Sequence, residues 1–300
     1  MCHIVLGFDS NYAMPSGVAM YSVCKNTNRK IHFHIIEESV GNNIKQQFKD
    51  MVESFGNDIT FYQISDEKFK GLPENAHISK STYNRFLIPE LLSEDINKCL
   101  YIDGDLLAVR GLEDLLSIDL DENIAVAAAI DARCSSVIEH NAIDLPLTKP
   151  YYNAGVMLYN LNYWRKHHVA EQCLNYIERT HCPWMDQDAI NAILFDNIYM
   201  LDTKYNLQIN FILTDESKWA VEKKYFCEIN AAIKAPVIIH YSQSGKPWHK
   251  GYKKADEWLA YKRMTPWKDV PLSYQKGWLH WIISNYVIGI GSFILRKISK

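Results

Sequence analysis

Short apolar runs alternate with longer segments of helical periodicity along the chain. "HIVLGFD" (3–9) precedes "SGVAMYSVCKNT" (16–27), "KIHFHII" (30–36) precedes "NIKQQFKDMVESFG" (43–56), and "ITFYQI" (59–64) follows. Further on come the runs "CLYID" (99–103), "IAVAAAID" (124–131) and "YYNAGVMLYNL" (151–161). Helical patterns over "VAEQCLNYIERT" (169–180) and "MDQDAINAILFDN" (185–197) follow, then a late strand "PVIIHYS" (236–242). Gly and Asn stand at the breaks. This rhythm predicts an α/β fold, a parallel sheet covered by helices. No repeat or linker interrupts it before "TPWKDVPLSYQKGW" (265–278), so one large domain is expected over 1–264 and a tail over 265–300.

Composition narrows the function classes. The chain has 300 residues, 48% hydrophobic and 22% charged, enough for a substantial core. A net charge of -3 and the lack of an Arg/Lys block interleaved with aromatics argue against nucleic acid as a partner. The seven cysteines (2, 24, 99, 134, 173, 182, 227) are scattered and never spaced as C-x-x-C, so they read as reduced thiols. "MCHIVLGFD" lacks the basic segment and cleavage site of a signal peptide and reads as a first core strand, so a cytoplasmic protein is expected. "SGKP" (244–247) resembles the end of a phosphate-binding loop, but His240 stands at the first glycine position and Pro247 replaces the Ser/Thr. No G-x-G-x-x-G follows the first strand either.

"CLYIDGDLLAV" (99–109) sets two carboxylates inside a strand-forming run. Residues two apart in an extended segment point the same way, so Asp103 and Asp105 would converge, with Gly104 letting the backbone bend. Converged carboxylates repel unless a cation sits between them. Hard oxygen ligands suit Mg²⁺ or Mn²⁺, and an added imidazole tilts the choice to Mn²⁺. A plain Asp-Gly turn is the alternative.

"FDSNY", "TYNRFLIPELL", "CLYIDGDLL", "YYNAGVMLYNL", "DQDAIN" and "HYSQSGKPWH", in this order, strongly resemble glycosyltransferase family 8 over roughly residues 3–250. That family contains retaining, nucleotide-sugar-dependent enzymes, among them bacterial lipooligosaccharide and lipopolysaccharide galactosyl- and glucosyltransferases. The resemblance implies a GT-A fold, a single Rossmann-like nucleotide-sugar-binding domain with a mixed, mostly parallel sheet and its site at the carboxyl ends of the strands.

The resemblance also implies roles. Asp9, Asn11 and Tyr12 would meet the uracil, against an alternative as a helix N-cap cluster. Arg85 would contact the diphosphate or the carboxylates around it, or else be a surface salt-bridging arginine. Asp131 would contact the donor sugar, and Asn153 its hydroxyls, beside the small Ala154 and Gly155. Asp186 would bind sugar hydroxyls, and Gln187 would lie nearest the anomeric carbon, with Asp188 a further catalytic candidate; each of the three could equally be a helix cap. His240 would complete the metal site with Asp103 and Asp105. Gly104 would pass close to the donor, and Gly245 and Lys246 would hold the diphosphate. Gln243 stands where the family's H-x-x-G-x-x-K-P-W pattern has glycine. Two mechanisms stay open: double displacement through Gln187 or a nearby Asp, or front-face attack in which the leaving phosphate takes the acceptor proton.

The implied activity is hexose transfer, galactose or glucose, from a UDP-sugar to a glycolipid or oligosaccharide hydroxyl, with Mn²⁺ or Mg²⁺. A glycogenin-like self-glucosylating or polysaccharide-priming protein and a non-catalytic nucleotide-sugar-binding protein are the rivals. The uncharged run 278–295, followed by "RKISK", predicts a peripheral helical anchor on the anionic inner leaflet, with Trp278, Trp281 and Tyr286 at the interface. A helix packed on the domain is the alternative. His32, His34, His167 and His168 stand apart from every motif and read as surface residues.

Overall fold

The computed structural model describes residues 1–64 and 80–274. Its strands are β1 (Cys2–Asp9), β2 (Ile31–Glu38), β3 (Asp58–Gln63), β4 (Lys98–Ile102), β5 (Leu106–Ala108), β6 (Val126–Ile130), β7 (Tyr152–Asn160), β8 (Ile198–Leu201), β9 (Leu207–Gln208) and β10 (Ile238–His240). Seven form one sheet in the order β3-β2-β1-β4-β7-β6-β8, and β5-β10-β9 form a second, small one. In the large sheet β7 runs antiparallel to both its neighbours, and the other pairings are parallel.

The all-apolar strands lie where both faces are covered. β6, "VAAAI", is buried at every position, which is why it shows no alternation. Two helices show one apolar stripe: Asn42–Glu53 buries Phe48, Met51 and Val52 and packs on β3, and Val169–Arg179 buries Val169, Cys173 and Ile177 and packs on the helix Asp186–Leu194. The seven cysteines are all free. Three short strands, β5, β8 and β9, are elements that periodicity did not single out.

The antiparallel insertion of β7 positions the site. Asp103 N–H donates to Gly155 O at 2.8 Å, and Asp131 N–H donates to Tyr151 O at 2.9 Å. The start of β7 therefore lies between the carboxyl ends of β4 and β6, and Asn153 is carried between Asp103 and Asp131.

Contacts divide the chain into Met1–Ser242 and Gln243–Lys300, earlier than the boundary expected after residue 264. Residues beyond 264 bond back within the second unit. Lys262 Nζ donates to the carbonyls of Lys268 (2.9 Å) and Val270 (2.7 Å), and Ser273 N–H to that of Trp248 (3.0 Å). The segment expected to anchor on a membrane, 278–295, lies outside the described residues. Among the described residues no helix is long and apolar enough to cross a membrane.

Candidate active site

Asp103-Gly104-Asp105 is a turn between strands of two different sheets rather than an extended run. β4 ends at Ile102 in the large sheet, and β5 begins at Leu106 in the small one. The turn is nonetheless what makes the carboxylates converge. β5 pairs antiparallel with β10, matching Leu106 to His240, and Tyr241 N–H donates to Asp105 O at 2.9 Å. His240 Nε2 thus lies 3.3 Å from Asp105 Oδ1 and 3.8 Å from Asp103 Oδ2.

A directional chain of hydrogen bonds aims the imidazole. Asp131 can only accept when ionised, so Asn153 turns its Nδ2 toward Asp131 Oδ2 at 2.9 Å. Asn153 Oδ1 then accepts from Gly155 N–H at 3.0 Å and Asn206 Nδ2 at 2.8 Å. That leaves Asn206 Oδ1 to accept from His240 Nδ1–H at 2.9 Å. A neutral His240 therefore presents the lone pair of Nε2 to the two carboxylates, the outer-shell arrangement that prepares a ligating histidine.

The donor set fits a divalent cation. One ligand atom each from Asp103, Asp105 and His240 lie within 4.8 Å of one another. The cradle is also shaped by a missing side chain: a Cβ on Gly155 would fall 2.8 Å from His240 Nδ1 and 2.9 Å from Asp103 Oδ2. Two carboxylates and an imidazole suit Mn²⁺ or Mg²⁺.

Arg85 is buried in the carboxylate network. Its Nη2 pairs with Asp103 Oδ1 at 3.1 Å, its Nε with Asp186 Oδ2 at 2.9 Å, and its Nη1 donates to Ala154 O at 2.7 Å. The guanidinium also sits 4.5 Å over the Tyr101 ring, whose hydroxyl donates to Asp103 Oδ1 at 2.8 Å. The surface alternative for this arginine does not hold, since its side chain is 6% exposed.

The helix Asp186–Leu194 starts after Met185, a buried residue with φ 46° and ψ -108°, a strained backbone that turns the first helical side chains inward. Asp186 Oδ1 accepts from Thr82 Oγ1 at 2.6 Å. Burial raises its pKa, Asp103 adds to this, and Arg85 and Thr82 oppose it. Gln187 Oε1 accepts from Ala154 N–H at 3.0 Å and Asn153 Nδ2 at 3.1 Å, and its Nε2 reaches Asp131 Oδ2 at 3.2 Å. Asp188 accepts from Tyr151 OH at 2.6 Å and Trp184 N–H at 2.7 Å, so it does behave as a capping residue. Burial would raise the Asp131 pKa, but Arg133, with hydrogen bonds from Arg133 and Asn153, holds it below the ordinary value.

Asp9 caps a short turn, accepting from the N–H groups of Asn11 (2.9 Å) and Tyr12 (3.0 Å). Asn11 is exposed and Tyr12 is 37% exposed, at the carboxyl end of β1. A Cβ on Gly104 would run into Ser16 Oγ, so glycine lets the turn pack close against Ser16, with the Tyr12 ring alongside. Gly245 and Lys246 belong to the second unit, where Lys246 N–H donates to His249 Nδ1 at 3.1 Å.

Residues 3–251 match the model of the family described as glycosyl transferase family 8. The chain belongs to glycosyltransferase family 8. Among curated members, General stress protein A of Bacillus subtilis is 29% identical over 89% of this chain and 95% of its own length. Lipopolysaccharide 1,3-galactosyltransferase of Salmonella typhimurium is 26% identical over 90% of this chain and 80% of its own. Among solved structures, the galactosyltransferase LgtC in complex with donor and acceptor sugar analogs superposes with a TM-score of 0.80. It shares 24% identity and covers 88% of this chain and 96% of that one. The family's GT-A-like α/β fold, with a mixed and mostly parallel sheet, is the fold of this chain.

Two residues that order this family 8 site, Asn206 and Asn191, went unnamed by sequence reasoning. Asn206, buried in "TKYNLQ", carried no signal, because a lone Asn after a short polar turn looks like loop. Asn191 exchanges two bonds with the Tyr152 backbone, at 2.7 Å and 2.9 Å, pinning the start of β7. Its place one turn beyond Gln187, in "DQDAIN", was the available clue.

Proposed function

We propose that this family 8 enzyme moves a hexose, galactose or glucose, from UDP to a hydroxyl of a lipopolysaccharide- or lipooligosaccharide-type glycolipid, with retention at the anomeric carbon. The observation that carries the reading is the convergence of Asp103, Asp105 and His240 around the space kept open by Gly155. The Salmonella relative, a lipopolysaccharide 1,3-galactosyltransferase by name, supports the acceptor class. When bound there, Mn²⁺, or Mg²⁺ in its place, supplies positive charge for the leaving diphosphate.

The chain's own residues position and stabilise. Asn11 and Tyr12 offer an amide and a ring face to uracil, and Asp9 holds the turn that presents them. Gly104 lets donor and turn approach closely. Asp131, Asn153, Asp186 and Gln187 supply a preorganised polar wall for the sugar hydroxyls and for an oxocarbenium-like state. The resemblance of "HYSQSGKPWH" to the family pattern assigns Gly245 and Lys246 to the diphosphate.

The hydrogen bonding favours the front-face route. Asp131 accepts from Arg133 at one oxygen and from Asn153 and Gln187 at the other. Asp188 is bonded at both oxygens and fully buried. The Gln187 amide oxygen already holds two donors. A nucleophile drawn from these would first have to give up bonds that align the site, whereas a phosphate oxygen of the leaving UDP can take the acceptor proton. Asp188 then serves as a positioning residue for the helix that carries Gln187.

Incubation with UDP-galactose or UDP-glucose, Mn²⁺ and a truncated lipooligosaccharide, followed by proton NMR of the product, tests this. An α-linked hexose on the acceptor is expected. Hexose attached to the chain's own tyrosines would replace the reading by self-glucosylation, and no UDP release with any acceptor would leave a binding protein.

A further inference from the structure

The amino ends of the parallel strands carry a second group of nitrogen donors, far from the carboxylate turn. His3 and His32 are register partners across β1 and β2, and His34 lies two residues beyond His32, so three imidazoles share one face of the sheet. His3 Nδ1 lies 2.9 Å from His34 Nε2, and the His32 and His34 rings stack with centroids 4.2 Å apart. One ring nitrogen from each of the three falls within 4.8 Å of the other two. The expectation that His32 and His34 are surface histidines fails at His34, which is 2% exposed.

The neighbouring strand supplies outer support. His34 Nδ1 meets Tyr62 OH at 3.0 Å, and His32 Nε2 meets Thr60 Oγ1 at 2.8 Å, both from β3. Hydrogen bonds of this kind fix the rotation and tautomer of ligating imidazoles. His3 and His32 are half-buried, so an ion could enter from solution.

We propose that His3, His32 and His34 form a second metal site, which takes one Zn²⁺ through three imidazole nitrogens and leaves its fourth position open. Tetrahedral Zn–N bonds of about 2.0–2.1 Å place ligand nitrogens about 3.4 Å apart, so the His3–His34 pair spreads by roughly half an ångström to admit the ion. An all-nitrogen set selects Zn²⁺ over Mn²⁺ or Mg²⁺, the opposite preference to the carboxylate site. Burial lowers the pKa of all three rings; His32 adds to this at His3, and His32 and His3 add to it at His34, which falls to about 3. Bound there, zinc cross-links β1 to β2 and stabilises the strand that leads to Asp9.

The test uses full-length, tag-free protein stripped with a chelator. Zinc is titrated calorimetrically in an Asp103→Asn/Asp105→Asn background, which removes competition from the carboxylate site. One equivalent is expected to bind and to raise the melting temperature, and Co²⁺ in its place should give the visible absorption of a tetrahedral site. Adding His3→Gln and His32→Gln should weaken zinc binding at least about 100-fold and remove the melting shift. His3→Gln alone, at a half-buried position, serves if the combined variant melts early, with at least about tenfold weakening expected. UDP-sugar binding with Mn²⁺ by the His3→Gln/His32→Gln protein should match the wild type, which keeps this test separate from the proposed transfer activity. No zinc bound in the carboxylate-deleted background, or one equivalent bound equally well without His3 and His32, would overturn the proposal.

Discussion

His240 can serve as a ligand because of what its other nitrogen meets. Asn206→Ala removes the acceptor for Nδ1–H and frees the ring to turn, so Mn²⁺ affinity should fall about 10–100-fold in a calorimetric titration while the fold persists. Gly155→Ala puts a methyl group 2.8 Å from His240 Nδ1 and should abolish Mn²⁺ binding altogether. Arg85 is a stability residue as well: Arg85→Met strands Asp186 and Asp103 without their cation, and urea unfolding should show a loss of about 3–5 kcal/mol. Asp131 gives a pH signature. Its pKa is held below the unfolded carboxylate value of about 3.9, so its contribution is present above that pH and is lost as pH falls through the lower folded value. The urea midpoint of the wild type should therefore drop more steeply below about pH 4 than that of Asp131→Asn.

At the scale of elements, the site depends on strand direction, which no apolar run reveals. "YYNAGVMLYNL" reads as a buried strand whichever way it points, yet only as the antiparallel strand between β4 and β6 does it deliver Asn153, Ala154 and Gly155 to their carboxyl ends. The convergence of Asp103 and Asp105 was legible because residues two apart in an extended run share a side and because "DGD" stands among five other motifs in the family's order. Its mechanism was not: the aspartates meet across a turn that joins two sheets, and the pairing of β5 with β10 that brings in His240 is a contact distant in sequence. The histidines of β1 and β2 were passed over for a related reason. Alternation in "KIHFHII" shows that His32 and His34 share a face, but only the parallel register shows that His3 joins them.

At the scale of the whole molecule the chain is two contact units, and Lys246 belongs to the second while Asp103, Asp105 and His240 belong to the first. The uncharged C-terminal run suits a peripheral anchor in composition. The full chain should sediment with vesicles rich in anionic lipid and be released by salt, and a chain ended at Pro271 should stay in the supernatant. The central claim, a metal-dependent UDP-hexose site built on Asp103, Asp105 and His240, is tested most directly by isothermal titration. UDP-galactose and UDP-glucose are each added with and without Mn²⁺ to the wild type and to Asp105→Ala. The account predicts that one of the two binds only with Mn²⁺ and that Asp105→Ala abolishes this. Binding that ignores both the metal and Asp105, or no binding of either sugar nucleotide, would contradict it.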